Sequence, residues 1–239
     1  MKHLTLVLPA HNEGASILNT ILEIDSSVPE NIKLDMYVSE DGSSDDTRVQ
    51  VELASRQTKK TNVNLSTPSG RLGYSRGVIR GIQNCKTEII GFMDADGQCD
   101  PKDLWTLVEK LEKDHVLVGY RNPRKDSRLR ILYSKAFGIA YRLFGGPKRI
   151  DPSSPFVVCY HSDIKKLDAI EPKLSYGFWW EFQIRIKKLG LLVIEVPVSH
   201  RVRSAGETQV YSVRKIPKIV ATHLIGLYRL KNELENTKG

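Results

Sequence analysis

Residues 87–101, TEIIGFMDADGQCDP, run a short apolar stretch directly into two aspartates spaced one residue apart. An apolar run of this length, ended by Asp-Ala-Asp-Gly, reads as a buried β-strand opening into a turn. Residues i and i+2 of an extended chain point to the same side, so Asp94 and Asp96 present two carboxylates together at the strand's carboxyl end. Gly97 lets the backbone turn sharply there, and Gln98 follows with a side-chain carbonyl in reach of the same point. Two hard oxygen donors with open positions suit Mg²⁺ or Mn²⁺ bridging a nucleoside diphosphate. The competing reading is that the aspartates only cap a helix starting near Asp100-Pro101. The apolar strand in front of them favours the first.

Upstream, the chain alternates strand and helix signals. HLTLVLPA (3–10) is an apolar run stopped by Pro. ASILNTILEIDSSV (15–28) spaces Ile17, Leu18, Ile21 and Leu22 as a helix. KLDMYVSEDGSSDDT (33–47) is a second strand entering a turn with Ser and Asp ready to cap the next helix. NVNLSTPS (62–69) is a third strand, YSRGVIRGIQNC (74–85) a helix, 102–113 another helix, and HVLVGYR (115–121) a fifth strand. Strands separated by helices predict a parallel sheet with right-handed crossovers and helices on both faces, and ligands beyond the strands' carboxyl ends. Acidic and amide residues gather at three such ends: Asn12 and Glu13, Glu40 and Asp41, Asp94 and Asp96. A carboxylate at Glu40 or Asp41, Asp41 preferred, would accept a hydrogen bond from a base edge or a ribose hydroxyl. Turn and cap chemistry accounts equally for Gly42, Ser43 and Ser44, and Asn12 and Glu13 read either way.

The second half is less regular. Residues 131–144 form a basic amphipathic helix, PFVVCYH (155–161) a strand, GFWWEFQIRIKKLG (177–190) a helix ended by Gly190, and LLVIEVPVSHRVR (191–203) a strand entering a basic tail. In 216–231, Ile216, Ile219, Val220, Leu224, Leu227 and Tyr228 share one face. The 239 residues hold 40% hydrophobic and 27% charged side chains, the composition of a folded globular chain. No segment approaches the ~20 apolar residues of a membrane span. The opening MKHLTLVLPAHNEG meets charge and proline too early for a secretory signal. Cys85, Cys99 and Cys159 share no metal-ligand spacing and read as reduced thiols of a cytosolic protein. One domain over 1–239 is expected, with a ligand-binding half (1–120) and a basic half (121–239). The net charge of +8 points to an anionic partner. Nine basic side chains fall between residues 121 and 150 against Asp126 alone. Nucleic acid is set aside, because no finger spacing, GXXG loop or aromatic RNP segment is present. Three acidic strand ends would also repel its phosphates.

Taken in order and spacing, LVLPAHNEG, VSEDGSSDDT, RLGYSRGVIRG and FMDADGQCDP resemble glycosyltransferase family 2 across residues 4–121, most closely the dolichyl- or polyprenyl-phosphate mannosyltransferase branch. The resemblance implies a GT-A fold, a nucleoside-diphosphate-sugar donor and Mg²⁺ or Mn²⁺ held by Asp94, Asp96 and Gln98. It implies that Pro9, Ala10, Asn12, Glu13 and Asp41 line the nucleoside pocket, with Arg71 near the donor. Its weaker continuation implies that Arg121 faces the acceptor phosphate and that Arg130 and Ser134, four apart on one helix face, form a second acceptor-phosphate pair. SHRVRSAGET resembles the late segment that reaches the donor pyrophosphate through Arg203, with Arg201 close by. The sequence departs from the family at Ser39 and Glu40. It also departs at Ser75 (usually Gly), Gly77 (usually Ala), Pro155 (commonly Gly) and Val157 (commonly Arg).

The implied reaction is an inverting transfer, from GDP-mannose in the first instance, to a polyprenyl or dolichyl phosphate whose oxygen needs no general base. The alternative is a UDP-sugar-dependent transferase acting on a hydroxyl of a glycan or glycolipid, for which Glu181 would take the proton. The competing and preferred reading of Glu181 is a structural acid paired with the late basic segment. The amphipathic segments 131–144 and 216–231 suit either an anionic membrane surface or burial in the fold. A cytoplasmic protein, peripheral on the cytoplasmic membrane face, is the matching expectation.

Overall fold

The structure, a computed structural model, describes residues 1–123, 128–174, 177–202 and 216–236, with the side chains of 128–131, 133 and 216–218 outside that description. Seven strands form one sheet: β1 (Lys2–Ala10), β2 (Ile32–Glu40), β3 (Asn62–Ser66), β4 (Ile89–Phe92), β5 (His115–Arg121), β6 (Val157–Tyr160) and β7 (Leu192–Val198). The helices are α1 (Ile17–Ser27), α2 (Thr47–Gln57), α3 (Tyr74–Asn84), α4 (Pro101–Glu109), α5 (Arg128–Leu143), α6 (His161–Ile164), α7 (Phe178–Lys188) and α8 (Ile216–Asn236). The strand order is β3-β2-β1-β4-β6-β5-β7.

β1 pairs in parallel with β2 and β4, and β5 pairs in parallel with β7. The sheet is mostly parallel, as expected; β6 lies antiparallel between β4 and β5. PFVVCYH carries no sign of its direction: a strand buried on both faces is apolar whichever way it runs. Chain order reverses at β1 and β4, whose carboxyl ends lie side by side, with Met93 N–H donating to Val7 C=O at 3.2 Å. That is a topological switch point, where sheets of this kind bind ligands.

Alternation along β1 builds both faces. Leu4, Leu6 and Leu8 pack beneath α1, α2 and α4, with Ile17, Ile21, Val51 and Leu104. Val7 faces the other layer, with Val78 and Ile82 of α3 and Phe178 and Phe182 of α7. A third cluster joins Tyr141 of α5, Trp180 and Ile184 of α7, and Leu227 and Leu230 of α8. The apolar residues of α8 therefore divide. Ile219, His223, Leu227 and Leu230 are buried, while Val220, Leu224, Ile225 and Tyr228 are exposed. α5 divides likewise: Tyr141 is buried, and Leu132, Ile139 and Leu143 are exposed. The apolar stripe on each helix is wider than its contact with the fold, so the apolar face expected on α8 is only partly covered among the described side chains. No helix among the described residues is long and apolar enough to cross a membrane.

Candidate active site

The end of β4 carries the two aspartates just past the last strand residue. Met93 and Ala95 remain in the core beneath α1. The Ala95 carbonyl accepts hydrogen bonds from Ser16 Oγ and Thr20 Oγ1 of that side at 3.2 and 3.3 Å. Asp94 is met from the other layer, where Tyr74 donates its hydroxyl to Asp94 Oδ1 at 2.9 Å and accepts from Trp179 Nε1 at 2.8 Å. Burial, then the charge of Asp94, pushes the Tyr74 phenol well above its ordinary pKa, so it stays a donor. Both Asp94 and Asp96 act on Tyr74, and both raise the buried Cys99 thiol, whose burial is the larger cause. The two carboxylates thus act on the same buried neighbours, Tyr74 and Cys99. Gly97 turns with φ 74°, and Gln98 N–H donates to Asp96 Oδ1 at 3.0 Å. Gln98 also donates its side-chain amide to the Arg201 carbonyl at 3.1 Å.

Among the described residues no group of three or more His, Cys, Asp or Glu has the arrangement of a metal site. Asp94, Asp96 and the Gln98 carbonyl form a sparse set made wholly of oxygen. That fits Mg²⁺ or Mn²⁺, which take one or two carboxylates and complete their shell with substrate phosphates and water.

The first and second strand ends are stapled to each other. Asn12, with φ 57°, donates its N–H to Ser43 Oγ at 3.0 Å, and its Oδ1 accepts from Ser44 N–H at 2.8 Å. Glu13 N–H donates to Thr47 Oγ1 at 2.8 Å, and Gly14 N–H to Asp45 Oδ2 at 3.0 Å. Pro9 and Ala10 end β1 in the core beside these loops. His11, which the sequence reading passed over, joins the same edge, its Nδ1 lying 3.0 Å from the Asp41 carbonyl. Its only signal was its place between Ala10 and Asn12.

The two successive acids of β2 are both accounted for by local structure. Glu40 is fully buried and accepts from Ser43 N–H and, at 2.8 Å, from Arg48 Nε. Burial alone would raise its pKa, but the Ser43 and Arg48 donors outweigh it and hold the carboxyl below the ordinary range. Asp41 accepts from Leu72 N–H at 2.6 Å and from Gly73 N–H at 2.9 Å, with Arg71 Nε 3.7 Å away. Asp41 therefore anchors the RLG segment at the mouth of the switch point and keeps only part of its acceptor capacity for a ligand.

On the acceptor side, two expectations change. The side chain of Arg121 is turned inward, 6% exposed, giving Nε and Nη2 to Asp151 at 2.6 and 2.9 Å and Nη2 to Ser153 Oγ at 2.8 Å. It secures the segment before β6 and does not lie open to an acceptor. Glu181 is fully buried, and its Oε2 accepts the backbone N–H groups of Lys173 and Leu174 at 2.7 and 2.8 Å. Its Oε1 takes Arg185 Nε and Nη2 at 2.8 and 2.6 Å. Trp179 meets Tyr74 on the site side, and two residues on, about 200° round the helix, Glu181 points away. The structure corrects Glu181 from a candidate base to an internal anchor. Ser134 sits on α5 one turn after Arg130, whose side chain lies outside the described residues, as does Arg203. Arg201 is engaged by Glu23 and Asp100.

Set beside known proteins, residues 5–166 match the family model of Glycosyl transferase family 2. The undecaprenyl-phosphate mannosyltransferase of Micrococcus luteus is 28% identical over 219 residues, covering 87% of each chain. The dolichol-phosphate mannosyltransferase of Pyrococcus furiosus is 25% identical, covering 95% of this chain and 63% of its own length. Among solved structures, glucosyl-3-phosphoglycerate synthase of Mycobacterium tuberculosis, in complex with Mn²⁺, UDP and glucosyl-3-phosphoglycerate, superposes with a TM-score of 0.69 at 20% identity. That match covers 95% of this chain and 80% of the other. The shared architecture is the GT-A fold.

Proposed function

The chain belongs to glycosyl transferase family 2, and from that footing we propose that this glycosyltransferase moves a sugar from a nucleoside-diphosphate sugar, GDP-mannose foremost, to the phosphate of a polyprenyl or dolichyl lipid. The observation that carries this reading is the engagement of Glu181. The carboxylate offered as a base for a hydroxyl acceptor is buried with both oxygens occupied. A phosphate monoester has its second pKa near ~6, so its oxygen is anionic at neutral pH and attacks the anomeric carbon without proton abstraction. The relatives named for undecaprenyl and dolichol phosphate agree with that acceptor chemistry.

In this scheme Pro9, Ala10, Asn12, Glu13 and Asp41 line the nucleoside pocket, with Arg71 over Asp41. Asp94, Asp96 and Gln98 would hold Mg²⁺ or Mn²⁺, which when bound stabilises negative charge on the departing diphosphate. Tyr74 fixes the orientation of Asp94, and the Gln98 N–H fixes that of Asp96. Arg203 meets the pyrophosphate, and Arg130 with Ser134 binds the acceptor phosphate. Arg121 shapes that subsite through Asp151. The exposed apolar residues of α5 and α8, flanked by Lys135, Arg142 and Arg229, lay the enzyme peripherally on an anionic cytoplasmic leaflet where its lipid resides. All 239 residues act as one domain.

The test is a thermal-shift panel of GDP, UDP and dTDP, each with and without Mn²⁺, on wild type and Asp94→Asn, followed by transfer from the stabilising donor to a short polyprenyl phosphate. Mn²⁺-dependent stabilisation by GDP, absent in Asp94→Asn, is expected; at a ligand concentration of 100 Kd it reaches ~2.7 kcal/mol. Selective stabilisation by UDP would replace the donor. No response to any nucleotide would overturn the reading.

A further inference from the structure

The loop that carries Asp94, Asp96 and Gln98 is fastened on its far side by the segment that leaves β7. Gln98 C=O accepts Arg201 N–H at 2.8 Å, and Arg201 C=O accepts the Gln98 side-chain amide at 3.1 Å. Cys99 and His200 form an isolated antiparallel bridge between these contacts. Ser199 N–H donates to Asp103 Oδ2 at 2.7 Å. The backbone of residue 201 is itself held by its own side chain. Arg201 Nη1 meets both carboxylate oxygens of Glu23 at 2.7 and 2.9 Å, and Nη2 meets Asp100 Oδ2 at 2.9 Å. Glu23 lies on α1 seven residues after Ser16 and three after Thr20, the two hydroxyls that clasp the Ala95 carbonyl. One polar stripe of α1 thus grips the loop twice, directly at Ala95 and through Arg201 at Gln98. Asp100 in turn caps α4, accepting Lys102 N–H at 3.0 Å.

We propose that Arg201 is a positioning residue for sugar transfer, which sets the Gln98 amide and the origin of the segment leading to Arg203 in one fixed relation to Asp94 and Asp96. This rests on the reading of Asp94, Asp96 and Gln98 as the cation site. The physical reason is that Gln98 follows Gly97 in a turn, where nothing in regular structure holds it. Spending the amino end of its amide on the Arg201 carbonyl leaves the carbonyl oxygen as the end that meets a cation. An ion-pair cluster as exposed as this one, with the Arg201 side chain 39% accessible, stabilises a fold little. Its effect lies in where it holds the backbone. The guanidinium is suited to the task because its planar fork takes Glu23 and Asp100 at once, which an ammonium does less well. Groups that orient ligands from outside the coordination shell commonly change metal affinity 10–100-fold when removed, by general precedent.

The test measures Mn²⁺ binding alone, by the electron paramagnetic resonance signal of free Mn²⁺, for wild type, Arg201→Met, Arg201→Lys and Asp96→Asn. Amide hydrogen exchange across residues 96–101 is followed in the metal-free proteins. Arg201→Met is expected to weaken Mn²⁺ binding about tenfold and to speed exchange at the Gln98–Arg201 ribbon, with the thermal midpoint close to wild type. Arg201→Lys should recover part of both. In steady state, Arg201→Met should raise the Mn²⁺ concentration needed for half-maximal rate more than it lowers kcat at saturating Mn²⁺. Wild-type Mn²⁺ affinity in Arg201→Met, while Asp96→Asn binds none, overturns the role of Arg201 and leaves the cation site standing. Loss of affinity that tracks a fallen thermal midpoint, without recovery in Arg201→Lys, also overturns it. Wild-type affinity in Asp96→Asn overturns the cation site and the proposal together.

Discussion

Replacing Glu181 with Gln separates the two acceptor chemistries, because it removes charge with little change of shape. Glu181 supplies one oxygen to two backbone N–H groups, of Lys173 and Leu174, and the other to the Arg185 fork. Glutamine has one acceptor oxygen, so its NH₂ group must face either the backbone donors or the guanidinium, donor against donor. Leaving a buried donor unsatisfied costs ~1–3 kcal/mol, and removing one partner of a buried ion pair ~3–5 kcal/mol. Arg185 keeps Glu233, whose carboxylate lies 2.9 Å from Nη1, so the net loss falls near the overlap, about 3 kcal/mol. For a chain of this size that lowers the thermal midpoint by about 6–12 °C. In urea the transition should move to lower denaturant with an unchanged slope. Transfer, measured well below the new midpoint, should persist within a few-fold. Adding Arg185→Met to Glu181→Gln relieves the donor clash and should recover about half of the loss, as replacement of buried pairs by apolar groups generally does. The reasoning fails if Glu181→Gln keeps wild-type stability and donor binding yet loses transfer. That result would make Glu181 a base and the acceptor a hydroxyl.

Three other outcomes follow from particular contacts. His223 is buried against Phe137 of α5, ring centroids 4.9 Å apart, and burial lowers its pKa from 6.5 to about 4. Below pH 6.5 the unfolded chain takes up a proton that the folded chain refuses. Stability therefore falls as pH drops toward 4, by about 3 kcal/mol in all, and His223→Phe should flatten that slope in urea titrations at pH 7 and 4.5. Two glycines of α3 should respond oppositely to alanine. A Cβ on Gly77 meets Ser39 Oγ at an ordinary 3.4 Å, whereas one on Gly81 falls 2.3 Å from Val7 Cγ1. Gly77→Ala should add ~0.5–1 kcal/mol and Gly81→Ala should cost ~1–3 kcal/mol in the same denaturation assay. Finally, changing Leu132, Ile139 and Leu143 together to Ser should abolish sedimentation with phosphatidylglycerol vesicles while leaving the unfolding midpoint in place, since all three are exposed. Unchanged sedimentation would remove α5 from the membrane reading.

The strand-helix order of the first half was legible because each element there repeats a local rule. The apolar runs at 4–10 and 89–92 are strand residues buried on both faces, and the helix between 74 and 85 begins and ends within a residue of its periodic pattern. Strand direction was not legible. β6 runs against β4 and β5, and a pattern of buried apolar residues is the same read from either end. The split of α8 into buried and exposed stripes was hidden for a related reason. Periodicity identifies which residues are apolar on a face, and only the neighbouring elements decide how much of that face they cover.

The site was legible to different depths because its residues act at different ranges. Asp94 and Asp96 follow from the local geometry of one strand end, where Tyr74 and the Gln98 N–H each hold one of them. Glu181, Arg121 and Asp41 depend on partners 4 to 32 positions away in sequence, and each is already engaged by the fold. The departures from the family pattern show the same long-range logic. Ser75 donates its hydroxyl to the Leu174 carbonyl at 2.8 Å, beside the Leu174 N–H that Glu181 accepts. A glycine there would give up this hydroxyl link between α3 and the segment before α7. Gly77 stands opposite Ser39, so the polar residue in β2 and the missing methyl in α3 occupy one contact. Val157 is fully buried in β6 and pairs across to Val118, where an arginine would have to bury its charge. Ser75 and Val157 thus fasten the second half to the sheet and α3, the Ser39–Gly77 contact lies within the first half, and none of these positions is Asp94, Asp96 or Gln98.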